Sequence, residues 1–124
     1  MSDLQNCVLI VEDEFIIAYA LGLEVAGMGL AVCGKADTAK DAIAMAAIHR
    51  PKVILMDTRL KGDMDGVDVA LAIRATLKSR IIFLTGSRDS AAMARIRSAE
   101  PFTVLSKPAT NKQITSAISD AMFS

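Results

Sequence analysis

The chain is 124 residues long, enough for one domain and too short for two. Hydrophobic residues make up 52% of it, mean hydropathy is +0.39, and 14 basic side chains balance 14 acidic ones. These values supply ample core material. They argue against a nucleic-acid-binding surface, since there is no basic run or aromatic platform, and no apolar run approaches the length of about 18 residues that a membrane span needs.

Strands and helices alternate along the whole sequence. Cys7-Val8-Leu9-Ile10-Val11 is an apolar run that predicts a first strand over about residues 6–11. A helix is expected from about Glu14 to Val25, with Gly27 and Gly29 as stop residues. Its only charged residue between Phe15 and Val25 is Glu24. Ile17, Leu21 and Val25 can form a buried stripe, which leaves Phe15, Tyr19 and Leu23 hard to hide. The second strand is expected over 30–34. Thr38 is a plausible N-cap for the next helix, with Asp41 in its first turn and Ala42, Ile43, Ala46 and Ala47 facing inward. That helix stops before Pro51.

Val53-Ile54-Leu55-Met56-Asp57 is the stretch around which the rest is arranged. It predicts a third strand over 52–57, buried on both faces and ending in a carboxylate. A polar loop follows from Thr58 to Gly66, then a helix over Val67 to Leu77 with Val67, Leu71, Ile73 and Leu77 near one stripe that Val69 and Ala70 widen. The fourth strand is Arg80 to Leu84, followed by Thr85-Gly86, and a helix starts between Ser87 and Asp89 and ends by Pro101. The fifth strand is Phe102 to Ser106, followed by Lys107-Pro108 and a helix over Asn111 to Met122.

Five βα units imply a doubly wound α/β sheet, five-stranded and parallel, and the strand order 2-1-3-4-5 suits this length. In that order Glu12, Asp13, Asp57, Thr85 and Lys107 surround one crevice at the carboxyl ends of the strands. Three carboxylates at close range need a compensating cation. A hard divalent ion with oxygen ligands, Mg²⁺ above all, fits best. A hydroxyl and an ammonium at the same edge complete a site for a phosphoryl group.

Other polar residues carry less. Cys7 and Cys33 fall in strands and read as buried free thiols, with no CxxC or cysteine–histidine cluster for zinc. His49 stands alone near a helix end and reads as a surface or capping residue. Residues 1–73 hold 6 basic and 11 acidic side chains, and residues 74–124 hold 8 basic and 3 acidic, so the second half presents a basic face.

Val11-Glu12-Asp13, Asp57 after its apolar strand, Thr85-Gly86 and Lys107-Pro108, each at a strand end, make the chain resemble a response-regulator receiver domain of two-component signalling, with the flavodoxin-like (βα)5 fold. The resemblance covers essentially all of residues 1–124 and implies a single receiver domain of the stand-alone type. It implies that Asp57 is the phosphoacceptor. It implies Mg²⁺ held by Asp13, Glu12, Asp57 and the backbone carbonyl of Arg59. Lys107 then pairs with a phosphoryl oxygen, Thr85 donates to another, and the Lys107–Pro108 bond is cis. The implied partners are a sensor histidine kinase or a histidine phosphotransfer protein and a downstream protein that reads the switch through the face of helix four, strand five and helix five. Neither nucleic acid nor membrane is expected as a partner, and a monomer or weak dimer is. The start Met1-Ser2-Asp3-Leu4-Gln5 lacks a secretion signal, so a cytoplasmic location is expected. A receiver cut from a longer regulator and a phosphate sink in a phosphorelay are the alternatives.

Three features depart from the family's habit, the first being the loop from Thr58 to Gly66, which is longer than usual and holds no proline. Val104 stands three residues before the lysine, where many receivers carry an aromatic residue, and Arg59 places a bulky cation two residues past Asp57. The same Arg59 argues against a phosphatase with an aspartyl nucleophile, which needs a second aspartate there. A flavin carrier would need a hydroxyl- and glycine-rich phosphate loop after the first strand, where Glu12-Asp13-Glu14 would repel a phosphate without metal.

Overall fold

A computed structural model describes residues 3–124. The elements follow in strict alternation: β1 Gln5–Val11, α1 Phe15–Gly27, β2 Ala31–Ala36, α2 Ala39–His49, β3 Pro51–Asp57, α3 Gly66–Arg74, β4 Arg80–Thr85, α4 Ser90–Ser98, β5 Thr103–Ser106 and α5 Asn111–Phe123. The five strands form one parallel sheet in the order β2-β1-β3-β4-β5. That is the expected doubly wound arrangement, with β3 at its centre.

The pleat divides the core in two. Ile54 and Met56 of β3 join Leu9, Val11, Ile81 and Phe83 on the face covered by α2, α3 and α4. Val53 and Leu55 join Val8, Ile10 and Ile82 on the face covered by α1 and α5. Successive side chains of a strand point to opposite faces, so an unbroken apolar run is what a strand covered on both sides requires. Each such side chain contributes roughly 1.5–3 kcal/mol on burial.

The helix starts follow local chemistry. Thr38 Oγ1 accepts from the amide of Asp41 at 3.1 Å, and Asp89 caps α4 through the amide of Ala92 at 2.8 Å. Asp65 with Asp68 and Thr110 with Gln113 form reciprocal capping boxes for α3 and α5. Gly29 sits at φ 76°, the left-handed conformation that ends the α1 segment. His49 lies exposed in the last turn of α2, as expected.

Several boundaries and faces differ from expectation. β2 begins and ends later than 30–34, because Lys35 and Ala36 pair with Ile10 and Val11. α3 starts at Gly66 and ends at Arg74, short of Leu77. Val69 and Ala70 are buried and widen the inward stripe of α3 as expected, but Leu71, expected within it, is exposed. Ala47 of α2 is exposed. On α1 the buried residues are Ala18, Leu21, Gly22 and Val25, while Ile17 is 38% exposed. Phe15, Ile16, Tyr19 and Leu23 point outward at 81%, 80%, 52% and 57% exposure. Phe15 and Tyr19 stack at 6.4 Å, and Lys35 lies 5.4 Å over the tyrosine ring.

Cys7 and Cys33 are free thiols; Cys7 is buried as expected, whereas Cys33, on the edge strand β2, is only half-buried. Burial, with Cys7 close by, pushes the Cys33 thiol up to about 12, so it stays protonated. Among the described residues no helix is long and apolar enough to cross a membrane.

Candidate functional site

The site forms at the carboxyl edge of the sheet, where β1 and β3 run side by side. Asp57 closes β3 and is 3% exposed, and Glu12, just past β1, is 2% exposed. One oxygen each from Glu12, Asp13 and Asp57 can lie within 4.8 Å of one another. The convergence expected from the strand order is therefore present.

Each carboxylate has a distinct set of partners. Asp57 Oδ1 accepts from Lys107 Nζ at 2.8 Å and from the amide of Arg59 at 3.0 Å. Asp13 Oδ2 accepts from the amide of Lys61 at 3.1 Å. Glu12 Oε2 accepts from the amide of Glu14 at 3.0 Å, while its Oε1 is buried with no hydrogen-bond partner among the described residues. Burial pushes the Glu12 carboxyl up to about 7, and the negative Asp57 beside it adds to the rise. An orphaned buried oxygen is costly. A hard divalent cation between the three carboxylates would satisfy it and lower the repulsion. The donor set fits Mg²⁺.

Thr85 ends β4 and is 3% exposed. Its hydroxyl donates to the carbonyl of Ser87 at 2.9 Å and accepts from the Ser87 amide at 3.2 Å. Thr58 Oγ1 also lies 3.3 Å from Thr85 Oγ1. Lys107 follows β5, and its bond to Pro108 is cis. Arg59 is exposed and lines the same cleft, which measures about 650 Å³. Val104 packs against the core on the α3–α4 side.

Sequence reasoning gives no sign of two further contacts. The β3–β4 register sets Asp57 opposite Leu84, so the next residues, Thr58 and Thr85, meet across the strand ends. Paired hydroxyl residues after two neighbouring strands are the signal that could have pointed to it. Arg95 of α4 is the other case. It bonds Asp65 at 2.7 Å and Asp68 at 3.0 Å, gripping both members of the α3 capping box at the rim of the cleft.

The response regulator receiver domain model matches residues 8–119. The chain belongs to that family. It is 31% identical over 123 residues to PhyR, the phyllosphere-induced regulator of Methylorubrum extorquens, an overlap of 98% of this chain and 45% of PhyR. It is 30% identical over 111 residues to the transcriptional regulatory protein PdtaR of Mycobacterium tuberculosis, covering 90% of this chain and 54% of PdtaR. The chain thus spans about half the length of the curated relatives it matches. The signal receiver domain of a modulated diguanylate cyclase from Desulfovibrio desulfuricans superposes with a TM-score of 0.85 at 34% identity, over 94% of this chain and 92% of that one. Receiver domains are phosphoacceptor switches of two-component systems. They take phosphoryl groups from histidine kinases or phosphotransfer proteins and bind Mg²⁺ at an acidic pocket. In this receiver the acidic group is Glu12, Asp13 and Asp57.

Proposed function

We propose that the chain is a phosphorylation-controlled protein-interaction switch in which Asp57 is the phosphoacceptor. The contact between Lys107 Nζ and Asp57 Oδ1 at 2.8 Å, beside the three clustered carboxylates, carries this reading. An oxygen of Asp57 attacks the phosphorus of a phosphohistidine or of a small acyl phosphate. The P–N or P–O bond to the donor breaks, the donor leaves with its electron pair, and an acyl phosphate forms on Asp57. Asp13, Glu12, Asp57 and the carbonyl of Arg59 would hold Mg²⁺. When bound, the ion supplies charge that neutralises the phosphoryl oxygens during transfer.

Lys107 starts paired with the acceptor carboxylate and follows the new negative charge onto a phosphoryl oxygen. Thr85 turns its proton from Ser87 toward another phosphoryl oxygen. Water then hydrolyses the acyl phosphate and restores Asp57. The chain catalyses this transfer and hydrolysis on itself and nothing else.

The donor side of the switch is assigned to α1. It exposes Phe15, Ile16, Tyr19 and Leu23, and its Ile17 and Leu21 line an apolar groove of about 400 Å³ that reaches Pro108 and Ile114. A patch of this kind suits the apolar surface of a helical kinase or phosphotransfer bundle. The output side is assigned to α4, β5 and α5. Within α4 only Ile96 is buried, so its hold on the core is slight, and Arg97 and Lys112 give the face its basic character. The chain acts either as a stand-alone receiver or as the receiver part of a longer regulator.

The test is incubation with acetyl phosphate and Mg²⁺, followed by intact mass and mapping of the phosphorylated residue. One phosphoryl group on Asp57 is expected, and none on Asp57→Asn. Equal labelling of Asp57→Asn would refute the assignment.

A further inference from the structure

We infer that Thr58 is a positioning residue that holds the Thr85 hydroxyl in its resting orientation and so sets how readily the phosphoryl pocket closes. The inference rests on the reading of Asp57 as phosphoacceptor and of Thr85 as the hydroxyl that turns toward it.

A threonine hydroxyl has one proton to give and two lone pairs to fill. Thr85 gives its proton to the Ser87 carbonyl at 2.9 Å. Its lone pairs receive the Ser87 amide at 3.2 Å and the Thr58 hydroxyl at 3.3 Å. The oxygen is saturated. Thr85 cannot donate to a phosphoryl oxygen on Asp57 without leaving the Ser87 carbonyl.

The two holders differ in their freedom to follow. Ser87 lies in the exposed loop between β4 and α4 and can move with Thr85. Thr58 is clamped. Its amide donates to the Leu84 carbonyl at 3.2 Å, and its carbonyl accepts from the Gly66 amide at 3.0 Å. Gly66 presses so closely on this turn that a Cβ there would lie 1.9 Å from the carbonyl oxygen of Asp57. When Thr85 turns, its bond to Thr58 is broken, not carried along. Thr58 keeps a fallback acceptor, the Leu84 carbonyl at 3.5 Å.

The Thr58–Thr85 bond therefore stabilises only the resting geometry. A contact made in one of two states biases the equilibrium by what it is worth there. For a neutral hydrogen bond that is roughly a two- to tenfold change in population. A ligand that needs the closed pocket binds more tightly by the same factor when the resting state loses it.

The probe is beryllofluoride with Mg²⁺, a phosphoryl mimic, titrated into the wild-type protein and into Thr58→Val, Thr58→Ala and Thr58→Ser. Binding is followed by the amide NMR signals of Thr85 to Asp89. Thr58→Val and Thr58→Ala differ in size but both lack the hydroxyl, and each is expected to bind roughly two- to tenfold more tightly. Thr58→Ser restores the hydroxyl and is expected to return to the wild-type affinity. Unchanged or weaker binding by the Val and Ala variants, beside a wild-type protein that does bind, would overturn the role of Thr58 alone. Failure of the wild-type protein to bind the mimic at all would overturn the phosphoacceptor reading and this inference together.

Discussion

Replacing Gly66 by alanine is expected to be among the most damaging single-methyl changes in the molecule. A Cβ at this position would sit 1.9 Å from the carbonyl oxygen of Asp57, 2.8 Å from its carbonyl carbon and 2.9 Å from Thr58 Cα. All three are backbone atoms, so no side chain can swing aside. Restoring an ordinary contact requires a shift of roughly 1.5 Å. That shift breaks the bond from the Gly66 amide to the Thr58 carbonyl. Overpacking costs about 1–3 kcal/mol and the lost bond about 1 kcal/mol. The expected loss is therefore about 2–4 kcal/mol, with a melting temperature lower by roughly 10 °C. Gly22→Ala is the internal control. There the nearest atom is the flexible Lys35 Cε at 2.8 Å, which can move away, and helix propensity favours alanine. Its stability is expected within about 1 kcal/mol of wild type. Urea denaturation followed by circular dichroism separates the two. A Gly66→Ala protein no less stable than Gly22→Ala would show that the loop after β3 does not close on Asp57 as described.

Three further outcomes are expected. Burial raises the Glu12 carboxyl from 4.5 to about 7, so the folded metal-free protein holds a proton that the unfolded chain releases between those values. This contribution to stability is fully present below about pH 4.5 and is lost as pH rises through about 7. Glu12→Gln should flatten that slope in metal-free thermal melts, and Mg²⁺ affinity in the wild-type protein should fall as pH drops below about 7. Arg74 donates to three carbonyls, of Ala99 at 3.4 Å, Ser79 at 2.9 Å and Glu100 at 2.7 Å, so Arg74→Met should cost about 2 kcal/mol in urea. A loss below about 0.5 kcal/mol would make those contacts idle. Tyr19→Glu or Leu23→Glu should slow phosphotransfer from a partner kinase while leaving acetyl-phosphate labelling of Asp57 intact, and equal slowing of both reactions would refute α1 as the docking face.

The parts of the fold legible in the sequence are those with a strong local signal. Val53 to Met56 announce a doubly covered strand, and an acid at its end points to the site before any geometry is known. Glu12, Asp13, Thr85 and Lys107 follow because strand ends in a doubly wound sheet share one edge. β2 is harder to read because it is an edge strand. Its residues are mostly half-exposed, and the register shift between Val8 and Leu9 breaks the alternation that would have marked its limits. On α3 the inward stripe is legible except at Leu71, which is apolar yet faces solvent. Contacts made by long or neutral side chains across many residues leave no periodic trace. Arg95 with Asp65 and Asp68, Arg74 with its carbonyls, and Thr58 with Thr85 belong to this class.

The grip of Arg95 on Asp65 and Asp68 has a consequence for the medium in which the protein works. The guanidinium is half exposed and the two carboxylates more than a third exposed, so both pairs are open to ions in solution. Exposed pairs weaken as ionic strength rises, and the screening length is only about 8 Å near physiological salt. Asp65 also starts α3, directly after the loop that folds over Asp57. Dissolved salt thus acts on the stiffness with which α4 is fastened beside the acceptor before any phosphoryl group arrives.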